Sequence, residues 1–142
     1  MEKWIEVNKG MIPAGEYLMH LQYGDFENLI VFLKSDKFEV TLEFDGDMSF
    51  HCVDESRWPF LPYDMELFSY YQKKKFDNVL YRIYGGKYYN FSRKHVGQLF
   101  FEEEFIHYIV VASNYFIEVI TVSTINVTVR NLETEDIRKY VI

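Results

Sequence analysis

The side chains that could carry acid–base or nucleophilic chemistry are few in this sequence and lie far apart along it. The chain contains four histidines and one cysteine: His20, His51, Cys52, His95 and His107. An imidazole can act as a general base, and a thiol next to an imidazole can act as a nucleophile. His107 stands among apolar residues, which favours a hydrogen-bonded core or strand-face histidine over a catalytic one. A small enzyme that uses His107 or His51 therefore remains an alternative interpretation.

The sequence His51-x-x-Asp54-Glu55 comes nearest to a metal-binding motif. Histidine and carboxylate side chains do bind metals, but this spacing matches no established helical or loop ligand pattern. No serine occupies a G-x-S-x-G elbow, and no glycine-rich phosphate loop precedes a helix. The run Glu102–Glu104 is typical of a solvated sheet edge. The sequence therefore predicts no metal site, no cofactor and no enzymatic activity.

The chain is acidic, with a net charge of −7, and the charge is concentrated in its first half. Residues 1–70 carry fourteen acidic and five basic side chains, a balance of −9, whereas residues 71–142 carry eight and ten, a balance of +2. An acidic protein repels phosphate groups, so binding of nucleic acid is not expected. The acidic half favours a basic protein partner.

Length and cysteine content bound the class of protein. The 142 residues predict a single domain over 1–142. A lone cysteine forms no intramolecular disulfide, as is usual in a reducing compartment. No basic segment followed by an apolar run opens the sequence, and no stretch approaches about eighteen uninterrupted apolar residues. We therefore expect a cytoplasmic protein that does not span a membrane.

The stretch from Phe105 to Arg130 predicts three successive β-strands, at Phe105–Ala112, Tyr115–Val122 and Ile125–Arg130. All three are rich in branched and aromatic residues. The first two are apolar on both faces and are expected in the middle of a sheet. The third alternates between apolar and polar residues, as a strand with one solvent-exposed face does. As an exposed edge strand, it could support a homodimer.

The segment Phe38–Val53 predicts a β-hairpin. Phe38, Val40, Leu42 and Phe44 alternate with polar residues, and Met48–Val53 follows the turn sequence Asp45-Gly46-Asp47. A three-residue loop keeps apolar residues opposite one another and pairs Val40 with Cys52. That register predicts Cys52 as a small buried core residue.

The remaining elements predict an α+β fold. Pro62 suits the first turn of a main helix over about 62–76, with acidic residues in its first turn and three lysines in its last. Val79–Tyr84 and Lys87–Phe91 predict a hairpin around Gly85-Gly86, Ser92–Gly97 a helical turn, and Thr134 the cap of a short helix through Tyr140. We expect about eight strands in a mostly antiparallel twisted sheet, with the main helix and short extra helices.

One segment has the composition of a protein contact surface. Acidic residues flank the predicted hairpin, and an irregular segment with tryptophan, arginine and tyrosine follows. These three residue types dominate interface hot spots, and the acidic ones would select a basic partner. The candidate partner-binding residues are Asp45, Asp47, Asp54, Glu55, Arg57, Trp58 and Tyr63. The alternative is that the aromatic residues here simply cover the edge of the sheet.

Three stretches carry a family resemblance: KFEVTLEF at residues 37–44, FHCVDES at 50–56 and HYIVVASNYFIEVI at 107–120. With its small size and acidity, the chain resembles the cytoplasmic immunity proteins of bacterial polymorphic and contact-dependent toxin systems over about residues 26–130. The resemblance implies a non-catalytic inhibitor that binds one cognate, often basic, toxin and blocks its active site or docking surface. A further alternative is a β-rich domain that binds a small ligand in an aromatic pocket, since aromatic residues make up 19% of the chain.

Overall fold

The computed structural model describes residues 3–24, 28–45, 48–54, 77–86, 89–90, 105–122 and 124–142. These residues form ten strands. In chain order the strands are β1 (Lys3–Glu6), β2 (Leu18–Tyr23), β3 (Leu29–Lys34), β4 (Phe38–Phe44), β5 (Met48–Asp54), β6 (Leu80–Tyr84), β7 (Ile106–Val111), β8 (Tyr115–Thr121), β9 (Ile125–Asn131) and β10 (Ile137–Val141).

The strands form two antiparallel sheets of five strands each. Sheet A has the order β1-β6-β7-β8-β5, and sheet B has the order β10-β9-β4-β3-β2. The inner faces of both sheets share one apolar core. Val31, Leu42 and Val127 contribute from sheet B, and Val110 and Ile117 contribute from sheet A. Alternation along each strand places these residues on the shared face, so the architecture is a β-sandwich.

The α+β prediction is wrong, because the regular elements of the described residues are all strands, and Tyr89 and Asn90 are the only helical residues among them. The predicted main helix at 62–76 and the predicted turn at Ser92–Gly97 lie outside the described residues. The predicted last helix is a strand: β10 pairs with β9 from Ile137 opposite Arg130 to Val141 opposite Asn126. Pairing to a formed sheet outweighs the capping pattern at Thr134, which is a local preference only. No helix in the described part of the chain is long and apolar enough to cross a membrane.

The three strands predicted between Phe105 and Arg130 are confirmed as β7, β8 and β9, with both faces of β7 and β8 buried. β8 belongs to sheet A, however, and β9 to sheet B. The Thr124 region therefore carries the chain from one sheet to the other. The predicted edge strand Ile125–Arg130 lies between β10 and β4, so it cannot support a dimer through a free edge.

The predicted hairpin over Phe38–Val53 is wrong, because β4 and β5 lie in different sheets. β4 pairs with β3 and β9, whereas β5 pairs with β8. Cys52 lies opposite Ile117, not Val40. It is exposed, because β5 is the last strand of sheet A. Hydrophobic alternation indicates which face of a strand is buried, but it does not determine which strand pairs with it.

The predicted hairpin around Gly85-Gly86 is also wrong. β6 pairs with β1 and β7, and Tyr89-Asn90 is a helical turn in which the Asn90 N–H donates to the Gly86 carbonyl at 3.0 Å. Gly85 has a positive φ of 67°, so the chain turns out of β6 at a glycine.

Two polar links hold the sheets together at the edge of β2. The side-chain carbonyl of Asn114, in the β7–β8 turn, accepts from the Met19 N–H at 2.8 Å, and its amide donates to the Met19 carbonyl at 3.1 Å. The Ser113 N–H donates to the Tyr17 carbonyl at 2.8 Å.

Tyr17 is fully buried, and its hydroxyl donates to the Pro13 carbonyl at 2.8 Å. Burial raises the pKa of Tyr17 to about 12, which keeps this donor protonated.

Candidate functional site

Of the candidate partner-binding residues, Asp45 and Asp54 are described and both are exposed. Asp45 follows β4, and Asp54 ends β5, so the length of β5 separates them. Because β4 and β5 do not form a hairpin, these carboxylates do not share one turn. Asp47, Glu55, Arg57, Trp58 and Tyr63 lie outside the described residues.

The structure adds an aromatic residue beside Asp54. Tyr115 opens β8 directly opposite Asp54 in the β5–β8 register, and it is 38% exposed. Side chains of directly opposed residues lie about 5 Å apart on the same face of a sheet. An exposed carboxylate and an exposed tyrosine therefore lie together at this end of sheet A. We call the pair Asp54 and Tyr115 the acidic–aromatic corner.

Cys52 lies on the same face of β5 as Asp54. Partial burial of the thiol raises the pKa of Cys52, and the nearby carboxylate of Asp54 raises it further. Both effects disfavour the thiolate, which is the nucleophilic form of cysteine. Cys52 is thus an exposed but unactivated thiol, and no nucleophile pair with a histidine is formed by the described residues.

The outer face of sheet A holds a row of ionisable side chains from three neighbouring strands. Glu118 of β8 is 1% exposed. One carboxylate oxygen lies 2.5 Å from Nε2 of His51 on β5, and the other lies 3.1 Å from Nε2 of His107 on β7. Glu118 lies directly opposite His51 in the register, whereas His107 is its diagonal neighbour on the far side. We call Glu118, His51 and His107 the His–Glu–His row.

The two ends of the row differ in their access to solvent. The His107 side chain is 2% exposed and the His51 side chain is 37% exposed. The position of β5 at the edge of sheet A accounts for this difference. Of the three residues in the row, His51 is therefore the one accessible to solvent.

Two further residues fix the His107 ring. A Cβ on buried Gly86 would lie 2.5 Å from His107 Nδ1 and Cε1, so only glycine leaves room for the imidazole. The Tyr89 ring stacks on the imidazole, with a centroid distance of 6.3 Å and an interplanar angle of 22°. Glycine at position 86 therefore serves close packing, whereas the turn out of β6 is made at Gly85.

The His–Glu–His row could support one kind of chemistry, proton transfer at His51. An ionised Glu118 would only accept hydrogen bonds, and each Nε2 that contacts it would then carry a proton. In neutral His51 the remaining nitrogen, Nδ1, is then the basic atom, and Glu118 would stabilise the imidazolium formed when it takes up a proton. The described residues contain no group of three or more side chains placed to hold a metal ion.

The other histidines are separate from this row. His20 is exposed on the outer face of sheet B, where its ring lies 5.8 Å from that of Phe32. His95 lies outside the described residues. The clefts lined by described residues are open and small, with volumes of about 210, 270 and 380 Å³. None of the three is lined by the His–Glu–His row.

Sequence reasoning missed Glu118, Tyr115 and Asn114. Glu118 had a visible signal, because it is the single charged residue in the apolar strand YFIEVIT. A lone carboxylate in a strand buried on both faces needs a partner. The roles of Tyr115 and Asn114 had no such signal, since both depend on which strand lies alongside.

Comparison with protein-family models gives no match, and neither curated proteins nor solved structures show significant similarity to this chain. The interpretation of these sites therefore depends on their geometry and chemistry.

Proposed function

We propose that this protein is a non-catalytic, protein-binding inhibitor: a cytoplasmic immunity protein that binds and neutralises a cognate, basic bacterial toxin. The observation that carries the proposal is the acidic–aromatic corner. Asp54 and Tyr115 are opposed and exposed at one end of sheet A. A tyrosine beside a carboxylate offers an apolar ring surface and a charge to an arginine or lysine of a partner.

The charge distribution supports a basic partner. The chain carries −7 overall, with −9 in its first 70 residues. The corner joins that acidic half to β8, and the candidate contact residues Glu55, Arg57 and Trp58 follow Asp54 in the sequence. Opposite charge on a partner would accelerate association, and buried aromatic contacts would slow dissociation.

The proposal is tested in two stages. Tagged protein is first used to capture partners from its native cells at low and moderate salt, and the captured species are identified by mass spectrometry. The purified partner is then titrated calorimetrically, and its toxic or enzymatic activity is measured with and without the protein. We expect a stoichiometric complex with a basic protein whose activity is inhibited.

Variants locate the binding face. We expect Asp54→Lys and Tyr115→Ala each to weaken binding by about tenfold or more, as substitutions at interface hot spots do. Asp36→Lys is the matched control, because it makes the same charge change on an exposed turn of sheet B. Equal weakening by Asp36→Lys would show that only net charge matters. Absence of an inhibited partner at both salt concentrations would contradict the proposal.

A second candidate function, a small enzyme, is favoured by the contact between His51 and Glu118. We propose for it a general base: His51 Nδ1 would take a proton from water or a hydroxyl, and Glu118 would stabilise the imidazolium. Chromogenic carboxyl-ester, phosphate-ester and peptide substrates test this function. A true activity should fall about a hundredfold or more in His51→Gln and persist in His20→Gln. Equal rates in the wild type and His51→Gln would exclude this role for His51.

A further inference from the structure

The last strand of sheet B, β10, presents a backbone edge to solvent. Among the described residues β10 pairs only with β9. Ile142 exchanges both backbone hydrogen bonds with Ile125, at 3.0 and 3.2 Å, and the Asn131 N–H donates to the Asp136 carbonyl at 2.9 Å. In an antiparallel pair, hydrogen-bonded residues alternate along the strand. The N–H and C=O groups of residues 137, 139 and 141 therefore point away from β9.

The side chains of this edge are unusually accessible. Ile137 is 57% exposed and Val141 is 68% exposed. Arg138 and Lys139 are exposed, and neither forms an ion pair within the described part of the chain. The edge thus combines two accessible apolar side chains with two cations, in a protein whose overall charge is −7.

A cleft of about 210 Å³ lies on the inner side of the same strand. Its walls include Arg138 and Tyr140 of β10, and Met11 and Pro13 of the loop between β1 and β2. A strand added to the β10 edge would place alternate side chains on the two faces of sheet B. One set would lie beside Ile137, Lys139 and Val141, and the other would enter the cleft beside Arg138.

A second copy of the chain does not suit this edge. The symmetric antiparallel pairing that aligns the whole strand sets Lys139 opposite the same residue of the other copy. Like charges directly opposed across a sheet destabilise the pair, and lysine on an edge strand disfavours self-association. A partner strand with a carboxylate at that position would instead form an attractive pair.

We propose that the β10 edge is a docking site for an extended segment of a partner protein. The segment adds to sheet B through the backbone groups of residues 137, 139 and 141. Its acidic side chains face Lys139 and Arg138, and apolar side chains flank them against Ile137 and Val141. This mode of recognition takes affinity from main-chain hydrogen bonds and specificity from alternate side chains. The site lies on the sheet that does not carry the acidic–aromatic corner, and it stands independently of the proposed inhibition.

Two synthetic peptides of opposite charge test the site. The probes are fluorescein-labelled TVTEEVT and TVTKKVT, whose two central charges fall on opposite faces of an added strand, measured by fluorescence polarisation at low and moderate ionic strength. We expect the acidic peptide to bind at least tenfold more tightly than the basic one. In ¹⁵N-labelled protein, the acidic peptide should shift the amide signals of residues 137, 139 and 141 and slow their hydrogen exchange.

Substitutions at Lys139 separate charge from backbone. Lys139→Ala removes the charge and keeps the N–H, so we expect a loss of affinity of about threefold to tenfold. Lys139→Pro also removes the outward N–H, so it should reduce affinity further. Proline is tolerated at an edge position whose N–H faces solvent, and circular dichroism and thermal melting check that the fold is retained. Lys139→Glu sets a carboxylate against the acidic peptide while Arg138 remains, so it should remove the preference between the two peptides.

Lys3→Glu is the control for the change of charge, because it makes the same substitution on an exposed lysine of sheet A. It should leave the preference unchanged. Three results would overturn the proposal: no binding of the acidic peptide at millimolar concentration, equal binding by folded Lys139→Pro, or amide shifts and protection that map away from β10. The last result would point to another sheet edge as the docking site.

Discussion

Replacing Glu118 with glutamine should destabilise the protein although the two side chains have nearly the same shape. Glu118 is 1% exposed, and its two oxygens lie within hydrogen-bond distance of Nε2 of His51 and of His107. A glutamine keeps one acceptor oxygen. Its amide group places a donor against one imidazole Nε2, so that contact becomes donor against donor as long as the imidazole keeps its proton on Nε2.

The expected magnitude follows from the contact that is lost. A hydrogen bond to a charged group contributes about 1.5–3 kcal/mol, and an unsatisfied buried donor costs about 1–3 kcal/mol. These two terms overlap, since both describe the same broken contact, so we expect the free energy of unfolding to fall by about 3 kcal/mol. For a domain of this size the melting temperature should fall by about 10 °C.

Urea unfolding followed by circular dichroism measures the change in the free energy of unfolding. Glu43→Gln is the matched control. Glu43 is only half-buried on the outer face of sheet B, where it accepts one hydrogen bond, from the Asn28 amide at 3.0 Å. We expect Glu43→Gln to cost less than about 1 kcal/mol. A cost below about 0.5 kcal/mol for Glu118→Gln would refute the assignment of a buried, doubly bonded carboxylate.

Replacing all three residues of the row with apolar ones tests whether the cost of Glu118→Gln comes from a buried group that has lost its partner. A variant with leucine at Glu118, His51 and His107 removes all three members of the row together, so none of the three is left without the other two. Replacing a buried ionic network with apolar residues is often neutral or stabilising. We expect this triple variant to be more stable than Glu118→Gln. The reverse order of stabilities would show that the row itself holds the fold together.

Three further changes have expected outcomes. Gly86→Ala should reduce the free energy of unfolding by about 1–3 kcal/mol, because its methyl group would overlap a buried imidazole, as urea unfolding would show. Asn114→Ala should cost about 1–2 kcal/mol in the same assay, because it removes two hydrogen bonds to the edge of β2. Alkylation of Cys52 by iodoacetamide at pH 7.5 should be slower than that of an unstructured cysteine peptide, since its raised pKa lowers the thiolate fraction. Asp54→Asn should lower that pKa and accelerate the reaction.

Controls from the same chain accompany these three changes. Gly15→Ala adds a methyl group whose nearest neighbour is 3.6 Å away, so it should alter stability by less than about 1 kcal/mol. Asn126→Ala, on an exposed position of β9, should be near neutral. Asp36→Asn, on the β3–β4 turn, should leave the alkylation rate of Cys52 unchanged. Each of the three interpretations fails if its control has the same effect as the test variant.

The sequence was a good guide to the individual strands. The composition of Phe105–Arg130 predicted β7, β8 and β9 with their breaks, and the alternation of Phe38–Phe44 predicted the buried face of β4. These features are local, because a period of two and a branched side chain favour a strand whatever lies beside it.

Partnership between strands was predicted poorly. The turn sequence after Phe44 suggested a hairpin, yet β4 and β5 entered different sheets, and Cys52 became an exposed edge residue instead of a core residue. The helix predicted after Thr134 became β10 because β9 offered it a free edge. Short segments near a formed sheet take the structure that the sheet selects, since pairing energy exceeds local propensity.

The sequence by itself determined an acidic, β-rich chain and the direction in which each strand's side chains alternate. These properties depend on composition and on spacing within single strands. Only the tertiary structure decided that His51, Glu118 and His107 would meet, and that Tyr115 would lie opposite Asp54. Residues 51, 107 and 118 become neighbours only when β5, β8 and β7 pair in one register, and a shift of one residue would turn every one of these side chains to the opposite face.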